Sequence, residues 1–216
     1  MLDALIFDFD GIICDTEWPE FEANRLMWLE CGAVLTHQAW EHRVGATWAS
    51  PWEELEAVVG PVSRAELTAR QRLIHGELLA AQHALAGVTE LMGEAAARRV
   101  PIAIASNSDV AWCDHHLRRL GLRHHVATIR AIDVVPQGKP APDMYLLACQ
   151  DVGAAPRRAV AFEDSNTGLS AAVAAGLHTV AIPHLLTNGH DLSAADLIVA
   201  SMADVSLEML ALRFGL

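Results

Sequence analysis

A chain of 216 residues, 52% apolar and 19% charged with no low-complexity tract, has room for one sizeable core plus a smaller insert, and its composition excludes disorder. Its formal charge of −12 and the lack of any Lys or Arg run exclude the basic face with which nucleic-acid-binding domains neutralise phosphates. Four separated cysteines, Cys14, Cys31, Cys113 and Cys149, never form C-x-x-C, so neither a zinc knuckle nor a disulfide framework is expected, only buried thiols.

At the N-terminus, MLDALIFDFD carries acids where a secretory leader needs positive charge, and the expected address is the cytoplasm. ALIFDFD reads as a buried strand that ends in Asp8 and Asp10, with Gly11 letting the backbone turn away sharply. Alternation along the strand would send both aspartates to the same side. Carboxylates that close repel, and a divalent cation or a retained proton offsets the repulsion, conditions that suit a metal-assisted nucleophile beside a general acid. The alternative is a pair of solvated strand-end acids.

From Thr16 to about Ala84 the pattern is helical, as in EFEANRLMWLECG, PWEELEAVV and SRAELTARQRLIHGELLAAQHAL. Five of the six tryptophans (Trp18, Trp28, Trp40, Trp48 and Trp52) lie there, where a small helical module needs large side chains to build a core. The predicted organisation is a core of residues 1–15 and 86–216 interrupted by a helical insert over 16–85.

Beyond the insert, apolar runs (PIAIASN, HVATIRA, AVAFED, HTVAIP, LIVAS) alternate with helical patterns (VTELMGEAAARR, SDVAWCDHHLRRLG, APDMYLLACQDVG, NTGLSAAVAAG). This predicts an α/β fold, a Rossmann-like doubly wound parallel sheet whose ligands collect beyond the carboxyl ends of the strands. The uncharged stretch from Ser165 to His190 is broken by Gly176, His178 and Pro183 and reads as helix, turn and strand rather than a membrane span.

Three further features, two at strand ends and one in a loop before a helix, carry chemistry. At the end of PIAIASN, Ser106 and Asn107 offer a hydroxyl and helix-entry N–H groups as a cradle for phosphate, although the same residue types are ordinary caps. Lys139, in QGKPAPDMY, is the only lysine beside fourteen arginines, which suggests a site that needs a compact ammonium. Glu163 and Asp164 form a second acidic pair, and oxygen ligands from two strand ends suit Mg²⁺; Ser165 or Asn166 is placed to cap the next helix. The adjacent pairs His115–His116 and His124–His125 are poor chelators, and most histidines are expected on the surface or at helix ends.

In this order, DFDGIICDTE, ASNS, GKPAPDMY and FEDSNTG resemble the haloacid dehalogenase superfamily over nearly the whole chain. The likeness is to the branch with a helical cap domain after the first motif, which includes small-molecule phosphatases and β-phosphoglucomutase. The resemblance implies that Asp8 attacks phosphorus to form an aspartyl-phosphate, and that Asp10 protonates the leaving oxygen and then activates water. It further implies that Ser106 and Lys139 hold the phosphoryl group. Mg²⁺ would be bound by the Asp8 carboxylate, the Asp10 backbone carbonyl and the Glu163–Asp164 motif, with Asp164 the stronger candidate.

The resemblance implies that Asp10 disfavours dehalogenation, whose family members lack this second aspartate, and that an insert without lysine disfavours phosphonate cleavage, whose members recruit one there. In HRVGATWASPW no arginine follows Gly45 to grip a second phosphate, although Arg43 precedes it, which favours a phosphatase over a mutase. Gly45, Thr47 and Trp48 are candidate cap contacts, together with Glu17, for which a first-turn helix acid is the ordinary explanation. The expected partner is a small phosphorylated metabolite, with no nucleic acid or membrane, and the expected state is a monomer or weak homodimer. A fold that binds a phospholigand without turnover is the non-enzymatic alternative.

Overall fold

The computed structural model describes residues 1–41, 50–187 and 189–216. In chain order the elements are β1 (Ala4–Phe7), α1 (Glu17–Glu30), α2 (His37–Glu41), α3 (Pro51–Val59), α4 (Arg64–Ala80), α5 (Val88–Ala97), β2 (Ile102–Ser106), α6 (Val110–Arg119), β3 (Val126–Ala131), α7 (Asp143–Asp151), β4 (Ala159–Glu163), α8 (Asn166–Ala175), β5 (His178–Ala181), β6 (Leu197–Ile198) and α9 (Leu207–Phe214). Contacts divide the chain into two compact units, residues 15–82 and the remainder, 1–14 with 83–216.

The larger unit is built on a six-stranded sheet in the order β3-β2-β1-β4-β5-β6, every pairing parallel. The doubly wound α/β fold expected from the strand runs is therefore present. Period-two alternation gives the sheet two unlike faces. Leu5 and Phe7 of β1, with Val160 and Phe162 of β4, pack against α5, α6 and α9. Phe7 and Phe162 stack with ring centroids 4.7 Å apart. The opposite face carries Ile6 among Ala4, Ala103, Ala105, Ala159 and Ala161, and these small alanines allow α7 and α8 to seat closely through Tyr145, Ala148, Ala171 and Ala172. From β1 the chain winds outward through β2 and β3, then returns to start the other half at β4, so the topological switch point falls between β1 and β4. In sheets of this kind the carboxyl ends of the strands at the switch point are where ligands collect, and that places the site.

The smaller unit is helical over its described residues, with a core around Phe21 and Trp40. The Phe21 ring meets His37 edge-on at 4.6 Å and Trp40 at 5.9 Å. Ser50 caps α3 ahead of Pro51, and Trp52 of that helix donates Nε1–H to Thr68 Oγ1 on α4 at 2.8 Å. Trp28, Trp40 and Trp52 are buried, the role a small helical module requires of them. Gly45, Thr47 and Trp48, together with Arg43, lie outside the described residues. Among the described residues, no helix is long and apolar enough to cross a membrane.

Candidate active site

The end of β1 delivers Asp8 to the switch point: its N–H still bonds to the Phe162 carbonyl at 3.0 Å, one residue past the strand. Asp8 Oδ1 accepts the Phe9 N–H at 2.7 Å and lies 2.9 Å from Lys139 Nζ. The same ammonium donates to Glu163 Oε1 at 2.6 Å, an oxygen that also accepts the Tyr145 hydroxyl. Lys139 reaches this place because its loop is pinned, with its N–H donating to Asn107 Oδ1 at 2.9 Å and Asn107 Nδ2 returning to its carbonyl at 3.4 Å. Gly138 admits Asn107, since a Cβ at that position would stand 2.9 Å from Asn107 Oδ1 and collide with Ile132. The side chain of Asn107 thus serves the lysine loop.

On the neighbouring strand, β4 ends in Glu163, Asp164 follows it, and Ser165 caps α8 by accepting the Gly168 N–H at 3.2 Å. Carboxylate oxygens of Asp8, Glu163 and Asp164 lie within 4.8 Å of one another, and all three residues are buried. The Asp10 carboxylate keeps other company. Its Oδ2 accepts Ser108 Oγ at 2.6 Å and Ser106 Oγ at 3.3 Å, and its Oδ1 accepts Trp112 Nε1–H at 3.1 Å. Two carboxylates two residues apart therefore divide, one to the acid cluster and one to a pocket made by β2 and α6. The chain leaves the strand after Phe7 and turns at Gly11, with φ at +76°, a conformation glycine adopts without strain.

Burial raises the Asp8 pKa well above the carboxylate range; Glu163, Asp164 and Asp10 add to the rise, and Lys139 only partly opposes it. Glu163 is raised by burial in the same way. For Lys139, burial pulls the pKa down, but Asp8 and Glu163 outweigh it and hold the group above its ordinary value, firmly charged. One ammonium thus faces several carboxylates, an imbalance that a small hard cation with oxygen ligands would relieve. The donor set of Asp8, Glu163 and Asp164 fits such an ion.

Asp164 has a partner the sequence did not reveal. His184, just beyond β5, places Nε2 2.8 Å from Asp164 Oδ2, while its Nδ1 accepts the Leu186 N–H at 3.2 Å. With Nδ1 accepting, the neutral ring carries its proton on Nε2 and donates it to the carboxylate. A Cβ on Gly11 would collide with Asp164 Oδ2 and come within 2.9 Å of His184 Nε2, so the glycine also makes room for this pair. The signal that could have found His184 is its place two residues after the apolar core of HTVAIP, at the carboxyl end of the strand beside β4. His116 stands in the last turn of α6, among the helix ends where histidines are expected, and is buried with its ring against Trp112 at 4.4 Å. Ser108 and Trp112, both on Asp10, were not singled out either. Glu17 occupies the first turn of α1, as a helix acid commonly does.

Residues 2–176 match the family of haloacid dehalogenase-like hydrolases. Among curated proteins, YhcW of Bacillus subtilis, which bears a phosphatase name, is 36% identical over 212 residues, covering 97% of this chain and 96% of its own. The fructose-1-phosphate phosphatase YqaB of Escherichia coli is 35% identical over 187 residues, 82% of this chain and 94% of its own. A solved structure of a hydrolase from Deinococcus radiodurans with bound phosphate and sodium superposes with a TM-score of 0.82 at 26% identity, covering 98% of this chain and 96% of that one. A doubly wound sheet with buried acids and a lysine at its switch point, in a chain with these relatives, is that of a phosphoric monoester hydrolase. The chain belongs to the haloacid dehalogenase-like hydrolase family.

Proposed function

We propose that the protein is a magnesium-dependent phosphatase of small sugar phosphates that works through an aspartyl-phosphate. The observation that carries this reading is Asp8, its Oδ1 2.9 Å from the buried Lys139 ammonium and its carboxylate within the acid cluster at the switch point. YqaB, a fructose-1-phosphate phosphatase by name, supports a sugar monophosphate as substrate. A small phosphorylated metabolite is the only partner the reading requires.

An Asp8 carboxylate oxygen attacks phosphorus, an Asp8–phosphorus bond forms and the ester P–O bond breaks, with Asp10 giving its proton to the departing alcohol oxygen. Asp10, now a carboxylate, takes a proton from water, which attacks phosphorus, releases inorganic phosphate and restores Asp8. Lys139 balances charge on the phosphoryl oxygens, and Ser106 donates a hydrogen bond to one of them. Mg²⁺, held by the Asp8 carboxylate, the Asp10 backbone carbonyl and Asp164 with Glu163 beside them, would supply charge neutralisation for both Asp8 and the phosphoryl group. Glu163, through Tyr145 and Lys139, sets where the ammonium stands. In this reading the helical unit acts as the cap, and Glu17, Gly45, Thr47 and Trp48 contribute to substrate choice.

The test is phosphate release from fructose 1-phosphate and p-nitrophenyl phosphate with Mg²⁺ or with chelator. Release is expected only with metal and falls by about a thousandfold or more in Asp8→Asn. Acid quenching with labelled substrate should trap a hydroxylamine-sensitive phosphoprotein in the wild type and none in Asp8→Asn. Failure to hydrolyse a broad panel of phosphate esters would favour a silent phospholigand-binding fold. Dominant isomerisation of β-glucose 1-phosphate, given a trace of its bisphosphate, would favour a mutase.

A further inference from the structure

Asn107 is expected from the sequence as part of a phosphate cradle, but its carboxamide is turned to the main chain of Lys139. Its Oδ1 accepts the Lys139 N–H at 2.9 Å, and its Nδ2 donates to the Lys139 carbonyl at 3.4 Å. A main-chain N–H only donates and a carbonyl only accepts, so this pairing fixes which way the carboxamide faces. Asn107 directly follows Ser106, whose place is set by the register of β2 on β3, with Ser106 opposite Ala131. Lys139 sits in a turn closed by the Ala141 N–H on the Gly138 carbonyl at 3.0 Å. The turn comes this close to Asn107 because position 138 lacks a Cβ, which would stand 2.9 Å from Asn107 Oδ1.

We infer that Asn107 is a positioning residue that ties the turn of Lys139 to the end of β2, so that the ammonium and the Ser106 hydroxyl keep a fixed spacing around the phosphoryl group. The inference rests on the roles proposed above for Lys139 and Ser106. A lysine is a point charge on a flexible stem, and it reaches Asp8 Oδ1 at 2.9 Å and Glu163 Oε1 at 2.6 Å only from a main chain held at the right distance. Two hydrogen bonds from one planar group fix both the position and the tilt of the Lys139 backbone, which a single bond would leave free to pivot. A charge misplaced by about an ångström loses much of its hold on a transition state, so the clamp acts on the chemical step through the ammonium.

Lys139 is the only lysine of the chain, so protein grown on lysine labelled at Cε carries a single lysine signal. In the wild type its two ε-protons should be inequivalent, as in an arm held in one place. In Asn107→Ala they should merge toward the position of a mobile lysine. Asn107→Asp keeps the acceptor for the Lys139 N–H and gives up the donor, and its signal should lie between. Asn107 is exposed, so these replacements should leave the core packing intact. The second measurement is a double-mutant cycle on kcat/KM for p-nitrophenyl phosphate with Mg²⁺. Asn107→Ala should cost about tenfold to a hundredfold in the wild-type background and less than about threefold in Lys139→Met, where no ammonium is left to position. A merely structural role would lower activity alike in both backgrounds. An unmoved lysine signal, or losses that multiply in the double variant, would overturn the inference. If Lys139→Met keeps full activity, the role proposed for the lysine falls and the inference falls with it.

Discussion

Lys139 bridges two buried carboxylates, Asp8 at 2.9 Å and Glu163 at 2.6 Å, so its removal leaves two anions without their shared cation. Lys139→Met should therefore lower the unfolding free energy of the metal-free protein by roughly 3 kcal/mol at neutral pH, read from urea denaturation. Asp8 itself opposes stability when ionised. Its folded pKa is raised by burial and by the neighbouring acids, so its contribution is fully present below its unfolded pKa of about 4 and is lost as pH rises through the folded value. Metal-free Asp8→Asn should consequently gain on the wild type as pH rises above about 4. A stability difference that stayed flat over that range would contradict this assignment. On the other acid, the His184 Nε2–H fixes one oxygen of Asp164, and His184→Ala should weaken Mg²⁺ binding by about tenfold to a hundredfold in calorimetry, whatever happens to turnover.

At the scale of elements, the site is a meeting of strand ends with helix beginnings, and α8 shows how tight that meeting is. A glycine-to-alanine change in a helix ordinarily stabilises by about 1 kcal/mol. At Gly168, in the first turn of α8, the added Cβ would land on the Glu163 carboxylate. The sign should therefore reverse: Gly168→Ala should lower the melting temperature and, by displacing Glu163 from Lys139, lower activity as well. The six strands and the helices α5 to α8 were legible because buried parallel strands read as apolar runs and their crossover helices keep a three- and four-residue period. α9 was not anticipated, although Ser206 caps it and Gly215 ends it at φ +68°, since eight residues give too little period to separate a helix from a buried turn. In the site, the legible residues were those whose position follows from a strand end, Asp8, Ser106, Glu163 and Asp164, and Lys139, which stands out as the only lysine of the chain. Ser108 and Trp112 act through contacts with a residue 98 and 102 positions away, and a tryptophan in an amphipathic helix reads as core until its N–H is traced.

For the whole molecule, a formal charge of −12 surrounds a site that must admit an anion. Repulsion at long range slows encounter and is screened by salt, while the buried Lys139 contacts are screened far less. At saturating Mg²⁺, kcat/KM for a sugar phosphate should rise, not fall, on going from about 10 mM to about 150 mM monovalent salt; a steady decline would point to attraction by the surface. The helical unit enters and leaves the sheet domain at neighbouring points. Cys14 bridges antiparallel to Ala84, and Leu85 donates its N–H to the Ile13 carbonyl at 2.9 Å. To the sheet, the insert over residues 15–82 is therefore only a long excursion from a stapled hairpin. If the insert acts as the cap proposed above, such a base is a natural graft point, at which one helical cassette could replace another and bring a new preference among phosphate esters while the reaction centre stays in register.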